Sequence, residues 1–203
     1  TLTFFSATFL MAQDKSIVNT DSIRALLKDA SQSDSIKHLM ALGEASFQAE
    51  DFATALSQYF QSLKLAEATG EVHQAAYATN NIGRIYYDMK NYEEGLTYFD
   101  KSLQYYQAEN NEKSQGGVLN NIALIYYETD SIDRAIEYYQ KALHIKKKYG
   151  EKLNIAAIQH NLGLVYMQQK DYAHAIQDLI SSREIFKELG YYKHVANASN
   201  NIG

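Results

Sequence analysis

The chain has 203 residues, 46% of them hydrophobic, with 19 basic and 24 acidic side chains and a formal charge of −5. That hydrophobic share excludes bulk disorder, and acids and bases interspersed along the chain argue against a nucleic-acid partner. With no cysteine and no proline, there is neither a disulfide framework nor a thiolate metal site, and helix ends must be set by glycine, asparagine and capping side chains.

The first twelve residues, TLTFFSATFLMA, form an uncharged and mostly apolar run that gives way abruptly to Gln13-Asp14-Lys15. The run is too short to span a bilayer as a helix. It reads as the end of a secretory signal whose basic start lies upstream, so 1–13 is expected to be a signal remnant and the protein to be exported. The alternative for the same run is a buried first helix. Within a linker over 14–35, the segment DSIRALLKDA places Ile23, Leu26, Leu27 and Ala30 at i, i+3, i+4 and i+7. This predicts an amphipathic helix that caps the N-terminal end of the fold beyond Ile36.

From Ile36 onward one period dominates. The segments LMALGEASF, NNIGRIYY, NNIALIYY, HNLGLVYM and NNIG align on Gly43, Gly83, Ala123, Gly163 and Gly203, each 40 residues after the last. The same step links Phe52, Tyr92, Ile132 and Tyr172, then Ala55, Gly95, Ala135 and Ala175. It also links Tyr59, Phe99, Tyr139 and Leu179, then Ser62, Ser102, Ala142 and Ser182. Two short helices per unit are predicted. On the first, Ile82, Gly83 and Tyr86 sit at i, i+1 and i+4, an apolar stripe with a small residue where a neighbouring backbone comes close. The second opens on Asp51, Asn91, Ser131 and Asp171, whose side-chain oxygens can accept from open helix N–H groups. It passes through positions such as Ala135, Tyr139 and Ala142 and closes at Gly70, Asn110, Gly150 and Gly190, residues that tolerate the left-handed conformation.

A lone helical hairpin cannot bury its apolar face, so such units stack and share a continuous core. The fold expected is all-α, a right-handed superhelical solenoid of antiparallel helix pairs. Its units are drawn over 36–75, 76–115, 116–155 and 156–195, with the start of a fifth over 196–203. A unit stopped so early caps nothing, and the sequence reads as a fragment of a protein that continues past Gly203.

These columns resemble the tetratricopeptide repeat, with its apolar-glycine pair, a tyrosine three residues later, then alanine, an aromatic and a small residue on the second helix. The likeness runs from Ile36 to Gly203 and is to the forty-residue variant of peptide-binding regulators and adaptors, which implies a superhelical groove holding an extended partner. The proline and tryptophan of the shorter unit are missing, and Ser46 stands where tyrosine is usual. More loosely, the exported start, the DS-x-x-x-L-L segment and the NNIG-x-x-Y repeats resemble the N-terminal sensor regions of exported bacterial sensor histidine kinases and transcription regulators. That resemblance implies a place on the periplasmic side of a bacterial envelope.

The tetratricopeptide resemblance puts the partner-binding groove on the first helices, beside the apolar-glycine pair. Here this means Asn80, Asn81, Arg84 and Tyr87, then Asn120, Asn121, Leu124 and Tyr127, then His160, Asn161, Leu164 and Met167, and last Asn200 and Asn201. Asparagine is a poor interior helix residue because its side chain competes for local backbone bonds, so a column of amides needs a reason. One reading is partner binding, since each amide offers a donor and an acceptor to an extended backbone. The other is that the amides tie neighbouring repeats together. Ala41 interrupts the column in the first repeat, where Met40, Ala41, Glu44 and Phe47 make a different surface. Tyr86, Tyr126 and Tyr166 read as packing residues. The run Lys146-Lys147-Lys148 reads as a solvated helix end, where cations meet the C-terminal partial charge.

No catalytic constellation stands out. The histidines form no HExxH pair, and neither a phosphate-binding glycine loop nor a GxSxG turn is present. No cofactor and no metal are expected, and membrane contact only through the signal or a helix beyond Gly203. The function expected is a non-catalytic protein- or peptide-binding module, the exported sensor region of a bacterial signal-transduction protein. A structural adaptor of a cell-envelope complex and a cytoplasmic peptide-responsive regulator are the alternatives.

Overall fold

A computed structural model describes residues 31–202. The expected signal remnant over 1–13 and the amphipathic helix over 21–30 lie outside the described residues. Two compact units divide the chain in sequence between Asn111 and Glu112.

The first unit contains α1 (Gln32–Gln48), α2 (Phe52–Thr69), α3 (Val72–Asp88) and α4 (Tyr92–Ala108). Ser31 Oγ accepts from the Asp34 N–H at 3.2 Å and Asp51 accepts from the Thr54 N–H at 3.1 Å. Each fills one of the donors that a helix N-terminus leaves open. The turns close on residues in the left-handed region, Glu50 and Lys90 after the first helices, Gly70 and Asn110 after the second. Only Gly70 adopts it without a Cβ penalty. The others are held by bonds back into the last helical turn, such as Asp51 N–H to Ser46 O at 2.9 Å.

Ile36, Ala55, Tyr59, Leu63, Ala66, Ala75, Ala78, Ile82 and Ile85 form the buried core of this unit. Burying one large apolar side chain is worth about 1.5–3 kcal/mol, so this shared core is the main source of hairpin stability. Polar ties set the fit. Ser62 Oγ donates to the Ile36 carbonyl at 3.4 Å and Ser102 Oγ to the Ala76 carbonyl at 2.8 Å. Each second helix is thus pinned to the backbone of its first helix by a fully buried hydroxyl.

The second unit contains α5 (Glu112–Glu128), α6 (Ile132–Lys148), α7 (Lys152–Gln168), α8 (Tyr172–Glu188) and α9 (Tyr192–Ile202). Helix starts at Gln32, Val72, Glu112, Lys152 and Tyr192 keep the step of 40 residues. The unit bounds drawn at 76, 116, 156 and 196 therefore fall four residues inside α3, α5, α7 and α9. Ala135, Tyr139 and Ala142 form the buried stripe of α6. Asp171 accepts from the His174 N–H at 3.3 Å, whereas Asn91 and Ser131 occupy the same cap position without a side-chain cap bond. Ser182 Oγ donates to the Ala156 carbonyl at 2.7 Å, repeating the tie of the first unit.

The hairpin of α5 and α6 departs from that pattern because Ala142 carries no hydroxyl. Lys146 supplies a polar tie instead. Its Nζ donates to the Lys113 carbonyl at 3.0 Å and lies 2.7 Å from Glu151 Oε2, while Lys113 Nζ lies 3.1 Å from Glu151 Oε1. Gly116 leaves the room, since a Cβ there would come within 3.0 Å of Lys146 Cε. The expected solvated end at 146–148 is corrected accordingly: Lys147 and Lys148 are exposed, but Lys146 is only 6% exposed. A buried ammonium is stable there because a carbonyl and a carboxylate replace its water. None of the described helices is long and apolar enough to cross a membrane.

Candidate partner-binding site

In the first unit the residue after the glycine is Glu44 on α1 and Arg84 on α3. Arg84 Nη1 lies 3.6 Å from Glu44 Oε2 and donates to Asn81 Oδ1, and its guanidinium sits 4.7 Å over the Phe47 ring. Asn81 Nδ2 donates to the Tyr77 carbonyl at 3.0 Å, and the Tyr59 hydroxyl donates to Glu44 Oε2 at 3.2 Å. Burial, and then the Glu44 charge, push the Tyr59 phenol above its ordinary range, so it remains a donor. Asn81 and Arg84 are both buried in this network, while Asn80 and Tyr87 are half-buried. The Tyr87 ring packs 6.0 Å from that of Tyr92.

In the second unit the same columns run along α5, α7 and α9. Asn120, Asn121, Leu124, His160, Asn161 and Leu164 are buried. Tyr127, Met167 and Asn201 are half-buried and Asn200 is exposed. Asn201 Nδ2 lies 3.4 Å from His160 Nε2, linking α9 to α7. For Asn81 the bonds seen stay within α3, to Tyr77 and Arg84, whereas the contact of Asn201 with His160 ties two helices together. What faces outward at the forty-residue position is a larger side chain, Tyr87, Tyr127 or Met167.

The packing tyrosines bridge the two helices of a hairpin. Tyr86 stacks on Tyr98 at 5.5 Å, Tyr126 lies 5.2 Å from Tyr138, and Tyr166 lies 5.2 Å from His174. Sequence reasoning misses the triad of Lys146, Glu151 and Lys113. Its signal is the replacement of Ile36, Ala76 and Ala156 by Gly116 in one column, with a lysine available to fill the space.

Helical hairpins stacked at a fixed period, each presenting a first-helix column, define a protein-binding repeat module. Models of the tetratricopeptide repeat match residues 74–148 and 155–189, and the chain belongs to the tetratricopeptide repeat family. No curated protein matches it in sequence. The chain is similar to BtubC from P. vanneervenii (16% identity, 90% of this chain and 85% of that one, TM-score 0.66). It is also similar to a signal transduction ATPase with numerous domains, carrying a tetratricopeptide repeat sensor, from Pyrococcus horikoshii (19% identity, 90% of this chain and 28% of that one, TM-score 0.80). A third similar structure is a Rap protein complexed with Competence and Sporulation Factor (17% identity, 90% of this chain and 57% of that one, TM-score 0.71).

Proposed function

We propose that this chain is the exported partner-sensing region of a bacterial signal-transduction protein, holding a protein or extended peptide along its first helices. The observation that carries the reading is the pair of Tyr127 and Met167 in the second unit, large side chains half-open at one repeat position above the buried Leu124 and Leu164, a position that Tyr87 holds within the first unit. Aromatic and thioether side chains in such places supply much contact area. In the second unit the exposed Asn200 offers an amide donor and acceptor to a partner backbone. Two similar structures support a sensing role, one bearing a tetratricopeptide repeat sensor and the other solved with Competence and Sporulation Factor. The apolar run ahead of Gln13 supports export. A bound partner is reported onward by a change in how successive hairpins stack.

Peptides selected from a random library on the array test the groove. Tyr127→Ala or Met167→Ala is expected to weaken them by about 10-fold, as loss of a contact residue does, and Glu128→Ala to leave them unchanged. Binders indifferent to both groove substitutions would sink the reading. Export is tested with the gene carried to its own start codon, by protease accessibility in spheroplasts. A protected protein would point to the cytoplasmic regulator.

A further inference from the structure

A second surface lies on a different face of the fourth hairpin. Ile155 and Gln159 are spaced i, i+4 on α7, turned away from His160, Leu164 and Met167 by helical geometry. They floor a cleft of about 400 Å³ whose walls include Lys147 of α6 and Glu184, Ile185 and Glu188 of α8. That volume lies within the range of sites that hold a small group or one large side chain.

The charges of this cleft do not cancel. Glu188 is already committed to Lys152, 2.5 Å away. Lys147 makes no ion pair among the described residues, and its charge is offset by the nearby Asp178 carboxylate, which accepts from Gln159 Nε2 at 3.4 Å. Glu184 is exposed and makes no ion pair among the described residues. One carboxylate is left over beside two isoleucines, an arrangement complementary to a long aliphatic stem ending in a cation. The equivalent cleft of the third hairpin, about 550 Å³, has Leu119 and Ile145 but sets Lys141 and His144 where Ser181 and Glu184 stand. There the one carboxylate of the lining, Glu137, is paired with Lys141 at 2.6 Å, so no carboxylate is left over.

We propose that the cleft between α6 and α8 takes an arginine side chain of a partner protein, its stem against Ile155 and Ile185 and its guanidinium on the Glu184 carboxylate. The site is independent of the first-helix groove. Arginine fits better than lysine because its planar fork can bond a carboxylate with two parallel N–H groups and leave others for Ser181 or Gln159.

The test is a titration of isoleucine-methyl-labelled protein with N-acetyl-arginine amide and, as a neutral isostere, N-acetyl-citrulline amide. The Ile155 and Ile185 methyl signals are expected to move with both, with arginine about 3- to 5-fold tighter, the range of a partly exposed ion pair. Glu184→Gln is expected to erase that difference, and Lys147→Ala to enlarge it by removing a like charge. Both substitutions are at exposed positions and leave the fold intact. Equal affinity for the two probes, silent methyl signals, or an unchanged preference in Glu184→Gln would each overturn the proposal. Met167→Ala is expected to leave the arginine response untouched, which separates this site from the groove.

Discussion

Lys146 and Glu151 meet at 2.7 Å across the turn from α6 to α7, with only 7% of the lysine side chain exposed. Through Lys113 the same carboxylate reaches the start of α5, so one small cluster holds three helix ends. Lys146→Met keeps the apolar stem but strands the carboxylate with a single cation. The expected loss, read by urea unfolding, is about 2 kcal/mol, below the roughly 3–5 of a fully buried pair because Lys113 remains.

The same carboxylate sets an acid limb. Burial pushes Glu151 up, but the hydrogen bonds and charges of Lys146 and Lys113 outweigh it and hold the group below the usual carboxylate range. A carboxyl depressed in the folded state contributes stability above its unfolded value of about 4.3, and loses it as pH falls through the folded value. Glu151→Gln is expected to cost stability at neutral pH and to flatten the decline on acidification from about pH 5 downward. Parallel acid limbs in the two proteins would show that the cluster is not their source.

Alanine holds the same column at position 123 of the third hairpin, where it is fully buried, so it is not barred from that column in general. At Gly163 a Cβ would lie 2.6 Å from Leu179 Cγ and 3.1 Å from the Ala175 carbonyl, and the latter cannot swing aside. Overpacking of this kind costs about 1–3 kcal/mol, against a helix-propensity gain of about 1. Thermal melts are expected to show Gly163→Ala destabilised on balance. The double variant with Leu179→Ala should lose less than the two single losses together.

The buried serines give a graded test. Ser102 donates to its carbonyl at 2.8 Å and Ser62 at 3.4 Å. A neutral internal hydrogen bond contributes about 1 kcal/mol. Ser102→Ala is expected to approach that loss and Ser62→Ala to fall clearly short of it. The reverse order would mean that cavity effects dominate.

Asn80 and Asn81 are neighbours in sequence with opposite expectations. Asn81 both donates to Tyr77 and accepts from Arg84 inside the unit. Asn81→Ala leaves a buried guanidinium short of an acceptor and is expected to cost about 1–3 kcal/mol. Asn80→Ala, at a half-open position, is expected to change stability far less. Equal losses in chemical denaturation would contradict this division of the column.

The hairpins are legible in the sequence because an apolar stripe, a small residue and a cap recur at one spacing, and each has a local physical cause. Asp51 and Asp171 show how far that goes, since both cap as their residue type predicts. Asn91 and Ser131 share the register without the bond, because capping also needs a side-chain rotamer that sequence does not specify. The amide column is legible as a column. Its burial is not: adjacent asparagines differ by about 100° around a helix axis, and which of them turns inward depends on packing against other helices, as Asn201 meets His160 from 41 residues away. The outer cleft leaves no trace at all, because Lys147, Gln159 and Glu184 are ordinary residues until three helices bring them together.

The turns leave only two or three residues between consecutive helices. Inserting one residue into a helix would rotate everything after it by about 100°, carrying Phe99 away from Gly83 or Ser182 away from the Ala156 carbonyl. Length in such a chain is therefore quantised. A whole hairpin can be duplicated or deleted with its contacts intact, whereas a single codon gained or lost within a helix puts every later face out of phase, so the inherited unit of variation is the module rather than the residue.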